Sequence, residues 1–554
     1  MAHERSRLQD EAIARLTANI ARYRAGELTA EQFRPLRLGM GLYAQLPQVK
    51  HMQRIKIPGG VLTADQLDAI AEVTARWGRG SAHVTVRQDI QVHYLELEDS
   101  IDVASLLAKA GVTTVGACAD SVRNVTASPY GGIAPDEVFD VTPHAHAITQ
   151  HFLFHEMNLR LPRKFKVGVS GSPRDEAQVM INDIGLFARV TDRGRGFRVY
   201  VAGGLGSTPE IAHAWLDFVP ESDLLAACEA VVRVYFRDGE RKNRKKNRMK
   251  FLLRALGEAE FMRRLDAELE VVLRERGPAL RDALAGFVAE YREPAPLPAE
   301  PGDPIGDGAF ARWKRTNALT QTQAGYHAAT IKLPLGDASA EQLRAIAELS
   351  RKFGNGTVRA TNQQNLLLRW VPSNKLYAFF RELVTIGLGE ADALHITDVV
   401  SCPGTDYCSL AITKSMGVAT LIREHLEEGT TRQEGQDLVA ELGRFEIKIS
   451  GCPNACGQHQ VGDIGMTGLM VTGKDGVERP HYSLRVGGGC GEGARVGSRM
   501  SGRIPEEQTP AVVAAIARFF LRERGMGESF RDFVARVGTD ALGKVGLAAA
   551  PGAV

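Results

Sequence analysis

Hydrophobic and polar positions repeat along this chain on two scales. On the short scale, Ile55 to Gly80 (IKIPGGVLTADQLDAIAEVTARWGRG) reads as an apolar strand and an amphipathic helix rich in Ala and Leu, closed by glycine. The segment HVTVRQDIQVHYLEL that follows reads as a second strand. On the long scale the same unit returns at Ile331 to Gly356 (IKLPLGDASAEQLRAIAELSRKFGNG) and VRATNQQNLLLRWV, with Gln66 matching Gln342 and Gly78 matching Gly354. Phe165 to Gly185 (FKVGVSGSPRDEAQVMINDIG) likewise matches Phe445 to Gly465 (FEIKISGCPNACGQHQVGDIG) without a gap, and VAGGLG at Val201 parallels VGGGCG at Val486. The copies lie roughly 275 to 285 positions apart, beyond the period of a solenoid, so the chain consists of two homologous halves.

Between the halves, Tyr291 to Gly308 (YREPAPLPAEPGDPIGDG) is rich in proline and reads as an extended linker. Residues before about Arg37 read as an N-terminal helical extension. A length of 554 residues, with 44% hydrophobic and 24% charged, is enough for several domains, each with its own core. The formal charge of +2 gives no ground for a nucleic-acid partner. No stretch is apolar enough to span a bilayer and the N-terminus does not resemble a signal peptide, so the expected compartment is the cytoplasm.

The halves differ in their chemistry-bearing residues. The second copy has Cys402 and Cys408 in SCPGTDYC, then Cys452 and Cys456 in GCPNAC, a C-x5-C pair followed by a C-x3-C pair. In the first copy Ser128, Ser172 and Glu176 stand where Cys402, Cys452 and Cys456 stand in the second. Four thiolates from two loops suit either an iron-sulfur cluster or tetrahedral zinc, and the loose C-x5-C arm favours iron and sulfur. One metal centre per chain is therefore expected.

Cations divide the other way. Arg54 corresponds to Thr330, Arg87 to Asn362, Arg123 to Thr397 and Lys166 to Glu446. Arginine offers a planar fork of donors and lysine a compact charge, so their convergence would form a site for a small oxyanion or for carboxylates. Taken one at a time, each is equally a solvated surface charge. Lys164 and Lys166, in LPRKFKVG, would share one face of a strand.

With these motifs the chain resembles the sulfite and nitrite reductase family, whose members carry sirohaem bridged to a [4Fe-4S] cluster by a shared cysteine. The resemblance covers nearly the whole chain. It implies that Cys402, Cys408, Cys452 and Cys456 ligate the cluster and that Cys456 also ligates the sirohaem iron. It implies Arg54, Arg123, Lys164 and Lys166 as substrate-binding cations, and Thr85, Arg87, Gln91, His93, Arg163 and Arg248 as contacts of the carboxylate-edged sirohaem. The implied fold is α+β, with two ferredoxin-like repeats and two larger α/β modules about a pseudo-twofold axis. The expected boundaries are 1–36 for the helical extension, 37–115 and 309–390 for the ferredoxin-like repeats, 116–290 and 391–548 for the modules, and 291–308 for the linker.

The resemblance further implies six-electron reduction of sulfite to sulfide or of nitrite to ammonia, with electrons from ferredoxin or a flavoprotein. Sulfite is the expected substrate. In the family the second lysine of the R-K-x-K run, here Lys166, tends to mark sulfite reductases, whereas INDIGLFA looks like the nitrite type. An electron carrier or sensor would need the cysteines but not the cations. Some relatives join a tyrosine and a cysteine covalently near the substrate; for Tyr43 and Cys118 a free, buried Cys118 is expected.

Overall fold

The computed structural model describes all residues except 1, 47–49, 300, 301, 303–305, 429–436, 492 and 551–554; part of the expected linker thus lies outside the described residues. Two helices, Ala2–Arg24 and Ala30–Gly39, come first. Each repeat then builds an antiparallel sheet around its amphipathic helix. Thr63 and Ser339 cap the helices Ala64–Trp77 and Ala340–Phe353, and Gln66 and Gln342 return the bond, so the matched glutamines close two capping boxes.

The repeats are not separate sheets. The first runs Leu42–Ala44, His51–Ile55, Ile90–Leu95, Ser81–Val84 and then Asp337–Ser339, a strand lent by the second repeat. The second sheet receives Val61–Thr63 in return, beside Thr357–Ala360. Leu67, Ile70, Leu343 and Ile346 of the two helices share one core, each wholly buried or within a percent of it. Burial of each side chain contributes about 1.5–3 kcal/mol.

The segment HVTVRQDIQVHYLEL is two strands, not one: Ser81–Val84 and Ile90–Leu95 flank a tight turn. Its apolar alternation lapses at Arg87, Gln88 and Asp89, where Thr85 Oγ1 accepts the Arg87 and Asp89 amides and Gln88 adopts φ 58°. The second copy bends alike at Gln364, φ 64°. Val84 pairs with Ile90 as Ala360 pairs with Leu366, so Arg87 corresponds to Gln363 rather than to Asn362. Gln88 donates to the Ala127 and Ala360 carbonyls, each at 2.9 Å, while Gln364 donates to Val84 O at 3.1 Å and accepts the Ser401 amide at 2.8 Å. These paired glutamines tie the halves together across the pseudo-twofold axis.

Each module is a sheet with parallel and then antiparallel neighbours. Thr126–Ala127, Val167–Ser170 and Ile184–Thr191 run parallel, continued by Gly194–Val201 and His213–Pro220. Val400–Ser401, Ile447–Ser450 and Ile464–Thr472 repeat this in the second half, continued by Glu478–Val486. The middle strands are buried throughout, as continuous apolar runs in parallel sheets require. The proline-rich segment is anchored at Glu293, which pairs with Arg359 at 2.7 Å and also with Arg369.

Candidate functional site

The four cysteines come from two loops at the same sheet edge. Ser401 pairs with Ile449 in parallel register, so both strands end together and deliver Cys402 beside Gly451 and Cys452. The Gly451 amide and the Ser415 hydroxyl each lie 3.3 Å from Cys402 Sγ. Ala455 and Gln458 adopt φ 56° and 59°, and a Cβ on Gly457 would lie 1.9 Å from Ile449 O, so only glycine permits the chain to double back there. All four cysteines are free. Burial, then the neighbouring Cys456, pushes the Cys402 thiol up to about 11. A soft metal centre would reverse that preference by favouring the thiolate.

Cys456 acts electrostatically on Cys402, Cys408 and Cys452, and also on Arg54 and Lys164. It is the residue through which the thiols of the second copy meet the cations of the first. Arg54 lies on His51–Ile55, opposite Gln91 in register, with Nη1 3.5 Å from Asp89 Oδ2. Burial opposes its charge, but Cys118, Asp89, Cys456 and Tyr43 leave its pKa raised. The Arg123 amide bonds to Phe165 O at 2.8 Å and its guanidinium to the Ala117 and Ala119 carbonyls, which ties it to the segment that carries the lysines just before Val167–Ser170.

Lys164 and Lys166 flank the buried Phe165 and therefore share a face. Neither Nζ makes a hydrogen bond or ion pair among the described residues. Burial lowers Lys164 to about 8 despite Cys456, and holds Lys166 well below its ordinary 10.5, with Arg87, Lys164 and Arg248 adding repulsion. Around them, Arg87 donates to Asn182 Oδ1 at 2.7 Å and Asn124 O at 2.6 Å. Arg248 and the Lys166 amide both bind Asp183 Oδ2, at 3.0 and 2.8 Å. Arg163 is partly exposed and pairs with Asp120 at 3.2 Å. Thr85 sits in the tight turn, and His93 stacks on Tyr407, between Cys402 and Cys408 in the chain, at 4.2 Å. Burial, with His83 and Arg54, lowers His93 to about 3 and keeps it neutral.

Several site residues escaped the sequence reading. Asp89, Asn124, Asn182 and Asp183 organise the cations, and Lys250 donates from Nζ to Gly204 and Leu205 carbonyls at 2.9 and 3.1 Å, fixing the glycine-rich loop. The matched Asp183 and Asp463 were a visible signal, since each accepts the amide of the residue aligned with Lys166 or Glu446. Cys118 is fully buried and donates to Gly41 O at 3.6 Å. His144 pairs with Glu221 at 2.7 Å.

A thiol set and a cation set meeting at Cys456 define a metal-dependent oxidoreductase. Family models agree: the nitrite and sulphite reductase 4Fe-4S domain matches residues 118–273 and 393–545, and the nitrite/sulfite reductase ferredoxin-like half domain matches 44–110 and 319–385. The chain belongs to the nitrite and sulfite reductase family. It is 30% identical over 511 residues to an assimilatory ferredoxin-dependent nitrite reductase of Haloferax mediterranei, covering 89% of this chain and 83% of the relative. It is 27% identical over 509 residues to a sulfite reductase [ferredoxin] of Mycobacterium tuberculosis, with the same coverage of each. The solved structure of the Mycobacterium tuberculosis NirA protein shares the fold, with a TM-score of 0.76 and 24% identity over 93% of this chain and 92% of that one.

The protein is an oxidoreductase whose cofactors are sirohaem and a [4Fe-4S] cluster. The residues present fit these groups. Arg54 Nε, Arg87 Nε and Arg248 Nε are buried without a hydrogen-bond partner among the described residues. Such donors are costly unless an acceptor reaches them, and a carboxylate-edged cofactor supplies acceptors. Among the described residues no helix is long and apolar enough to cross a membrane.

Proposed function

We propose that the protein reduces sulfite to sulfide in a six-electron reaction, in the cytoplasm, with a ferredoxin as donor. The observation carrying this reading is the meeting at Cys456 of the thiol loops with Arg54 and Lys164. Cys402, Cys408, Cys452 and Cys456 would hold the cluster, and Cys456 would also serve the sirohaem iron. Thr85, Arg87, Gln91, His93, Arg163 and Arg248 would contact the sirohaem and its carboxylates. When bound, these cofactors supply low-potential electrons one at a time. The repeat over 37–115 provides Arg54, the module over 116–290 provides Arg123, Lys164 and Lys166, and the module over 391–548 provides the thiol loops.

Arg54 and Arg123 grip the oxyanion through planar forks, and desolvation strengthens that grip. Lys164 and Lys166 add compact charge and hold protons at Nζ for oxygens that leave as water. The protonated lysines are the working form, and burial has lowered Lys164 to about 8, so kcat/KM is expected to fall as pH rises through that value. Nitrite does not change charge in that range, so its profile isolates the enzyme's limb. Lys164→Arg should move the limb to higher pH; an unmoved limb rejects the assignment.

Lys166 supplies the charge that favours a dianion with three oxygens over nitrite. Lys166→Asn should therefore lower kcat/KM for sulfite about tenfold more than for nitrite. Equal losses would reject sulfite as the preferred substrate. Nitrite reduction to ammonia is the second reading, favoured by the Haloferax relative and by a ferredoxin--nitrite reductase of Synechococcus elongatus, 29% identical over 479 residues.

A further inference from the structure

We propose that Asp89 is a specificity-determining residue: it holds Arg54 and offsets part of its positive field, narrowing the pocket's preference for a dianion over a monoanion. This rests on the reading of Arg54, Arg123, Lys164 and Lys166 as the oxyanion-binding cations.

Asp89 closes the tight turn before Ile90–Leu95. Its carbonyl accepts the Thr85 amide at 2.9 Å and its own amide donates to Thr85 Oγ1 at 3.3 Å, so its backbone is fixed. The side chain is only 2% exposed, with Oδ2 3.5 Å from Arg54 Nη1 and Oδ1 buried without a hydrogen-bond partner among the described residues. Burial raises its pKa above the ordinary carboxylate value, while Arg54, Arg87, Arg123 and Lys56 act in the opposite direction and favour its charged form.

The second half supplies an internal comparison. There the matching turn residue is Asn365, whose Nδ2 donates to Asp398 at 2.7 Å and whose Oδ1 accepts the Leu333 amide at 2.8 Å. The same turn thus accommodates a neutral amide, and Thr330, paired with Leu367, takes the place that Arg54, paired with Gln91, has in the first half. Carboxylate and guanidinium occur together in the half with the cations, and neither occurs at these positions in the other. In a desolvated pocket, a fixed negative charge beside Arg54 weakens attraction for a dianion twice as much as for a monoanion.

The test is equilibrium titration of the holoenzyme with sulfite and with nitrite, followed by visible absorbance at a pH where sulfite is dianionic. Asp89→Asn should raise the ratio of the nitrite Kd to the sulfite Kd about tenfold. Asp89→Ser should shift the ratio in the same direction, so poor cofactor loading of one variant leaves the test intact. A ratio unchanged in both variants overturns the proposal, because a purely structural role would move both affinities together. Arg54→Ala should weaken both anions; unchanged affinities there would overturn the reading of the pocket itself, a failure distinct from an unmoved Asp89 ratio.

Discussion

Cys456→Ser is expected to yield a folded protein that has lost its visible absorption and whose turnover of either oxyanion falls to background. A serine hydroxyl is a hard, reluctantly ionised ligand, and the proposed position needs a thiolate shared by two iron centres. Changes one shell further out cost metal sites about 10–100-fold, so loss of the shared ligand should exceed that range. Cys228→Ser is the control. Cys228 is buried within the helix Leu224–Asp238, in the core of the first module and away from the thiol loops. That variant should keep its colour. A coloured and active Cys456→Ser protein would remove Cys456 from the centre of the account.

Glu293→Gln is the second large effect, this time on stability. Arg359 and Arg369 have side chains only 1% and 3% exposed, and both point their charge at Glu293. Removing one partner from a buried ion cluster costs about 3–5 kcal/mol, because the remaining charges stay buried and uncompensated. Arg351 with Asp65 is an exposed pair at 2.6 Å whose disruption should cost no more than about 1 kcal/mol. Denaturant midpoints of the two variants compare them directly, and similar midpoints would contradict the anchoring role. Burial alone would raise the Glu293 carboxyl, but Arg359 and Arg369 bring it down to about 2 from its ordinary 4.5. Its stabilisation is therefore full above 4.5 and is lost as pH falls from there towards 2.

The thiol spacing and the doubled halves were legible because each is a local pattern repeated along the chain. What escaped depends on distant partners. The turn at Gln88 is marked only by the short polar run Arg87, Gln88 and Asp89, and placing it there shifts the counterpart of Arg87 to Gln363. The exchange of Val61–Thr63 for Asp337–Ser339 leaves no trace in either segment, since pairing partners are not written in a strand's own pattern. Asp89 and Glu293 sit beside arginines in the sequence with no local pattern that marks them for burial. Only the packed halves bury them, and burial converts a weak surface charge into a decisive one. The cations are the intermediate case: their asymmetry between copies was visible, but their meeting at Cys456 needed both modules.

The most direct measurement is the absorption spectrum of the purified protein, with reduced-viologen turnover of sulfite and nitrite on the same sample. Sirohaem bands with faster turnover of sulfite are the expected result. A colourless protein that turns over neither anion would contradict the account.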